Sequence, residues 1–327
     1  MTLTRGKRIM ILAILQSEGL YMSVLKILKN ISDHYQISSI LTISPTAYGS
    51  GEKTFVVETR DAKYIAKLNE RPDVVTLYDK IRPVLIERGF VQSKIVRTKA
   101  NRLMTADSMV LYTFLDGAAH KKLDTLQTQN AIRYMKKFNA ALSAVPFSPA
   151  ELHEMNGWDK AKSLSYMIND FDYTRFGFGQ NDLGRLDRAI HILKSNDLLL
   201  DQTKKQLIHA DLGPDNFMFN SGEVLSIIDF TPDFEHELYA LCQFCYWSYL
   251  WPKTNDPDQL ANWLETYYQR NVSKAEKKLF YTLLIKTALF RIIGRLLSEN
   301  APDISVLTAR MEALENVITL YARNGYH

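Results

Sequence analysis

The feature that most constrains this chain is a change in hydrophobic period about a third of the way along it. From residue 36 to about 115 the apolar residues largely alternate. Ile37–Ile43, Lys53–Thr59 and Lys63–Leu68 read as three strands of a meander, because period two is what a half-buried strand requires. Arg60-Asp61-Ala62 is a short turn between the second and third. Asp73 to Arg88 then reads as a helix stopped by Gly89, the residue type that ends helices in a left-handed conformation. Two further strands are expected around Lys94–Lys99 and Ser108–Phe114.

Beyond residue 120 the spacing becomes helical. Leu126, Ile132, Met135, Phe138, Leu142 and Val145 keep it until Pro146, and further helices are expected over 183–198 and from Lys274 to Leu297. Strand signals return only at 206–230, where Phe217–Phe219 and Val224–Ile228 bracket a turn at Asn220-Ser221-Gly222. Residues 1–35 read as a separate helical segment. The expectation is an α+β chain: segment 1–35, a small β-rich lobe over 36–115, and a larger, mainly helical lobe over 116–327 with one hairpin embedded in it.

Composition narrows the function classes. Hydrophobic residues make up 46% and charged residues 23% of the 327, which excludes a disordered or collagen-like chain. A formal charge of +4 is too small at this length to argue for nucleic acid without a localised patch. The two cysteines, Cys242 and Cys245, exclude a disulfide framework and fit a reducing, cytoplasmic setting. Arg5, Lys7 and Arg8 precede the short apolar run Ile9–Leu15, but Gln16-Ser17-Glu18-Gly19 follows instead of a cleavage site. No apolar stretch is long enough to span a bilayer, so no membrane is expected as a partner. The histidines show no metal-ligand spacing, and Gly177–Gly184 lacks the preceding strand of a dinucleotide motif.

The chemistry concentrates in the embedded hairpin: Leu207-Ile-His209-Ala-Asp211-Leu-Gly-Pro-Asp-Asn216, then Ile227-Ile-Asp229-Phe230. An aspartate is followed five residues later by an asparagine and, after a hairpin, by a second aspartate at a strand end. Phosphoryl transfer needs such a set: a carboxylate to orient the attacking hydroxyl, and oxygen ligands to hold Mg²⁺ against nucleotide phosphates.

His-x-Asp-(x4)-Asn followed by Ile-Asp-Phe resembles the aminoglycoside phosphotransferase and choline kinase superfamily, which has a bilobal protein-kinase-like fold; His209–Asn216 is closest to its homoserine-kinase branch. The resemblance implies ATP and Mg²⁺ as cofactors, with Asp211 the catalytic base, Asn216 and Asp229 the metal ligands, and His209 a loop-shaping residue. It also implies that the β-rich lobe supplies the nucleotide site. Lys67 would reach the phosphates, paired with an acid of the following helix, Asp79 before Asp73 or Glu87. Tyr48-Gly49-Ser50-Gly51 would cover the phosphates through backbone N–H groups, and the backbone of Thr113 and Leu115 would meet the adenine.

Three departures separate the chain from protein kinases: Thr231 follows Asp229-Phe230 where glycine is expected, Ala follows His209 where arginine is expected, and no Ala-Pro-Glu occurs downstream. Tyr239-Ala240-Leu241-Cys242 also replaces the family's Tyr-Asp-Leu-Ala. The acidic cluster Asp233, Glu235 and Glu237 would face an amine-bearing acceptor, or form a solvated face. The aromatic run Phe244–Trp251 reads as core that could also border an acceptor. The expectation is therefore a small-molecule kinase phosphorylating a hydroxyl of an amine-containing molecule. Homoserine kinase proper and a non-catalytic, spore-coat-like scaffold are the alternatives.

Overall fold

In the strand Thr54–Thr59 (β2), Phe55, Val57 and Thr59 are buried while the residues between them are partly exposed. That alternation seats β2 between Ile40–Pro45 (β1) and Lys63–Lys67 (β3), and Val110–Thr113 (β4) completes an antiparallel sheet in the order β1-β2-β3-β4. The computed structural model describes residues 18–46, 53–152, 157–251, 256–298 and 303–326.

Successive residues of β4 face opposite ways, so each side of it needs its own cover. Glu18–His34 (α1) covers one side, with Val24, Ile27 and Ile31 packed among Phe55, Val57, Met109 and Leu111. Pro72–Glu87 (α2) supplies Val75 to a second cluster with Ile95, Val110, Tyr78 and Tyr112. Each fully buried side chain of this size contributes about 1.5–3 kcal/mol. Helix α2 ends before Gly89, whose φ of +84° suits the chain reversal there.

Three expectations change. The helical segment is not a separate unit: α1 packs into the small core, and the compact unit that contains it runs on to Lys121, past the expected boundary after residue 115. The strand expected at 94–99 is reduced to a single bridge, Ile95 to Tyr112. Its backbone joins β4 at Lys94 and Val96, then folds into a turn closed by Thr98 and Arg102, with Asn101 at positive φ. The hairpin Phe217–Asn220 (β7) and Glu223–Ile227 (β8) sits beside Ala118–Ala119 (β5) in a three-stranded sheet. Most of its residues, Met218–Asn220 and Leu225–Ile228, cluster with the first unit and not with the helices. Ser221 and Gly222 both have positive φ, the two-residue turn whose twist matches that of the flanking strands.

The second unit is mainly helical. It contains Thr125–Leu142 (α3), Gly157–Ala161 (α4), Gln180–Ser195 (α5), Asp197–Asp201 (α6), Leu238–Cys245 (α7), Pro257–Tyr268 (α8), Lys274–Ser298 (α9) and Ile304–Arg323 (α10). It also holds the ribbon Gln206–His209 (β6) with Pro232–Glu235 (β9). Helix α3 opens with a capping box between Asp124 and Gln127, which satisfies donors the first turn leaves open. Helix α9 is the axis of the unit: every residue from Leu279 to Gly294 is buried, so it is apolar nearly all round, as a central helix must be. Gly294 admits the Trp158 ring, which would lie 2.1 Å from any β-carbon there. Helix α7 runs on as a π turn over Tyr246–Leu250, closed by the Trp251 N–H on the Tyr246 carbonyl at 2.8 Å. That wider turn re-aims the aromatic side chains after Cys245. Among the described residues no helix is long and apolar enough to cross a membrane.

Candidate active site

Strands β6 and β9 pair antiparallel from Gln206–Glu235 to His209–Pro232, and the Ala210 N–H extends the ladder to the Thr231 carbonyl at 2.8 Å. The loop bearing Asp211 therefore leaves a fixed strand end. His209 is fully buried; its Nδ1 accepts the Asp211 N–H at 3.3 Å, and its ring meets Phe230 edge-on at 5.5 Å. These contacts tie the His209 ring to the residues on either side of the loop. Pro214–Asn216 forms a short helical turn, and the Asn216 amide donates to the Asp211 carbonyl. The Asn216 nitrogen is thus engaged inward, and its Oδ1 is left as the acceptor end. Asp229 has a φ of 57°, a left-handed conformation that aspartate tolerates better than most residues. The Thr231 hydroxyl donates to the Asp229 carbonyl at 3.2 Å and holds the bend.

The Asp211 carboxylate is 47% exposed and accepts from Arg291 Nη2 at 2.6 Å. Burial of the carboxyl pushes its pKa up, but the Arg291 charge and hydrogen bond, His209 and the Trp247 indole outweigh it, and the net shift is downward. Asp211 is therefore an ionised acceptor at neutral pH. Arg291 is itself buried: its Nε and Nη2 donate to Gln243 Oε1, and its guanidinium lies 4.8 Å from the centre of the Trp247 ring. Sequence reasoning missed Arg291 and Gln243. The available signal was an arginine inside the apolar run Leu289–Ile293 of a long helix, a place where a charge needs a partner.

The acidic cluster does not face outward as a substrate site. Glu235 is ion-paired with Lys286, both nearly inaccessible, and Lys136 meets Glu237 at 2.6 Å. Lys162 and Lys286 act on Asp233, whose pKa nevertheless rises because burial dominates. For Glu235 burial again raises the pKa, but Lys286 overrides it and the net direction is down. The expected amine-binding role of Asp233, Glu235 and Glu237 is corrected accordingly: lysines of the same unit already pair with Glu235 and Glu237, and Asp233 accepts from the Phe234 N–H. The missing acid at Ala240 leaves no gap, because Tyr239, Ala240, Leu241 and Cys242 are all buried and anchor α7 by packing.

In the first unit, Lys67 ends β3 opposite Val110, with its Nζ 5.9 Å from the centre of the Tyr112 ring. Burial lowers its pKa, and Glu70 acts in the opposite sense. The expected partner is corrected: Asp79 pairs with Arg97 at 2.7 Å and Asp73 with Arg71 at 2.7 Å, while Glu70 is the acid that acts on Lys67. The Thr113 N–H donates to the Lys94 carbonyl at 2.9 Å, so that donor is not available to a purine; the Leu115 carbonyl accepts from Gly117 at 3.1 Å. Tyr48, Gly49, Ser50 and Gly51 lie outside the described residues.

Fold and sequence together define the class, a small-molecule kinase with a β-rich unit and a larger helical one. The chain belongs to the phosphotransferase enzyme family, whose sequence profile matches residues 42–274. No curated protein matches it. Among solved structures it resembles the aminoglycoside phosphotransferase APH(4)-Ia, at 12% identity over 92% of this chain and 99% of that one, with a TM-score of 0.66. Amicoumacin kinase hAmiN, solved with AMP-PNP, Ca²⁺ and Ami, is 14% identical over 89% and 93%, with a TM-score of 0.63. An aminoglycoside phosphotransferase from Alicyclobacillus acidocaldarius is 16% identical over 91% and 96%, with a TM-score of 0.61. At these identities the likeness is one of fold.

Proposed function

We propose that the chain transfers the γ-phosphoryl group of ATP to a hydroxyl of a small molecule. The observation that carries this reading is the loop in which the Asn216 amide holds the Asp211 backbone while the Asp211 carboxylate stays ionised and accessible. The acceptor oxygen attacks the γ-phosphorus, the bond to the β,γ-bridging oxygen breaks, and its electron pair leaves on ADP. The carboxylate of Asp211 orients the hydroxyl and takes its proton, a task for which a weak base suffices because the transition state is loose. Lys67 serves the nucleotide phosphates.

The oxygens of Asn216 and Asp229 suit Mg²⁺, which takes few protein ligands and completes its shell with phosphate and water. Among the described residues no cluster of three or more His, Cys, Asp or Glu could hold a metal ion by itself, and the substrate-dependent mode fits that. When bound, Mg²⁺ would neutralise charge on the phosphates. Asp229 and Asn216 would orient it from two fixed backbone positions.

ADP release across a panel of hydroxylated acceptors tests the reading, with homoserine included for the narrower homoserine-kinase assignment. ATP with Mg²⁺ should raise the melting temperature, and Asp229→Ala should abolish that rise. A shift that survives Asp229→Ala, or turnover that falls less than about tenfold in Asp211→Asn, would sink the proposal.

A further inference from the structure

Helices α7, α9 and α10 bring a second set of groups to the Asp211 carboxylate, and this set is rich in hydrogen-bond donors. Arg291 and Arg310 are both buried, 6% and 5% exposed. Arg310 donates to the Arg291 carbonyl and lies 5.7 Å from the ring centres of both Trp158 and Trp251. Trp247, Trp251 and Trp158 are only half-buried and present ring surface beside these guanidinium groups. The Nη1 end of Arg291 makes no hydrogen bond among the described residues, its Nε and Nη2 being the atoms engaged. Gln243 Nε2, the Tyr246 hydroxyl and the Ser248 hydroxyl are buried without a partner among the described residues. Buried donors left this way are satisfied by water or ligand oxygens.

We infer that this cluster selects an acceptor bearing an acidic group, a carboxylate or a phosphate, held by Arg291 beside the hydroxyl to be phosphorylated. The inference deepens the kinase reading and rests on it for the role of Asp211. The open Nη1 end of the buried Arg291 guanidinium, with the Gln243 and Tyr246 donors that adjoin it, calls for acceptor oxygens, and a guanidinium fork matches a carboxylate or phosphate edge. The carboxylates of β9 cannot serve a cationic acceptor, since Lys286 and Lys136 hold Glu235 and Glu237. An ammonium group placed at Arg291 would meet like charge. Arg291 keeps its Nη2 on Asp211 while Nη1 takes the ligand, so acid group and hydroxyl sit within a short span, on the order of 5 Å. The half-buried indoles give the adjoining carbon skeleton a flat apolar surface.

The matched probes are mandelate, phenyl phosphate and phenylglycinol, which place a carboxylate, a phosphate or an ammonium beside the same ring. Tryptophan fluorescence of the full chain reads their binding without requiring turnover. Mandelate or phenyl phosphate should quench saturably, and the tighter of the two identifies the acid. Phenylglycinol should bind about tenfold or more weakly. Arg291→Gln should weaken the acidic probe by roughly tenfold, while Arg291→Lys, which keeps the charge but not the fork, should recover part of it. Lys67→Ala, in the first unit, should leave acid binding unchanged while removing ATP turnover, which separates this inference from the kinase reading. Equal or tighter binding of phenylglycinol would overturn it. So would no binding of either acid, or acid affinity unmoved in both Arg291 variants when their melting temperatures match the parent.

Discussion

Around β9, Asp233, Glu235 and Glu237 each face a lysine of the same unit, and the pair at Glu235 and Lys286 is shut away from solvent. Around α9, Arg291 and Arg310 are just as buried, yet the carboxylate that meets Arg291 is Asp211, itself half-exposed. The first cluster is closed: its charges cancel inside the chain. The second is open on one side, with donors and indole faces beside the base. Charge density along a sequence therefore says little about where a ligand binds. What matters is whether the fold supplies the counter-charge or leaves it to a substrate.

The largest expected effect breaks the open cluster. Asp211→Asn keeps an oxygen for Arg291 but removes the base, and kcat should fall about a thousandfold, roughly 4 kcal/mol of barrier. The steady-state rate of ADP release, with melting temperature as the control, checks it. A fall of less than about tenfold would mean that Asp211 serves mainly to hold Arg291.

The next effect breaks the closed cluster, and it should appear in stability rather than catalysis. Lys286→Met leaves Glu235 buried and unpaired, which costs about 3 kcal/mol. Urea unfolding should register that loss while KM for ATP stays near the parent value. Adding Glu235→Gln should restore much of it, because a buried pair is worth far less than the penalty of breaking it. A smaller effect tests how the wall of the open cluster is made. Gly294→Ala places a methyl against the Trp158 ring and should cost about 1–3 kcal/mol by overpacking, with a changed near-ultraviolet tryptophan signal. An unchanged signal would show that Trp158 is not seated by α9.

Strands β2 and β3, the hairpin β7–β8, most of the helices and the His209–Asp229 motif were legible because each is written in local spacing. Period two marks β2 and β3, Gly89 marks the end of α2, and Ser221-Gly222 marks the hairpin turn. The errors share a physical cause, since they concern pairings between distant positions. Asp79 looked correctly placed for Lys67, but nothing local revealed that Arg97 would reach it first. Asp233, Glu235 and Glu237 read as a charge run because β9 is short and pairs with β6 across more than twenty intervening residues. Arg291 was hidden in an apolar helix because its partners Asp211 and Gln243 lie 80 and 48 residues away.

The smallest predicted effect sharpens the contrast within the closed cluster itself. Asp211 and Glu235 have lowered carboxyl pKa values, so the stability they contribute is present above the ordinary carboxylate range and lost as pH falls through the lowered values. Asp233 is shifted the other way, chiefly by burial, with Lys162 and Lys286 opposing. Its contribution is present below the ordinary carboxylate pKa and lost as pH rises through the raised one. Asp233→Asn removes that ionisation and can retain the acceptor for the Phe234 N–H, now at 2.8 Å. Relative to the parent, the variant should gain stability as pH rises from about 4 to about 7, by no more than about 1 kcal/mol. Urea midpoints across that range decide the sign. A variant that instead loses ground with rising pH would show that Lys162 and Lys286 outweigh burial at Asp233.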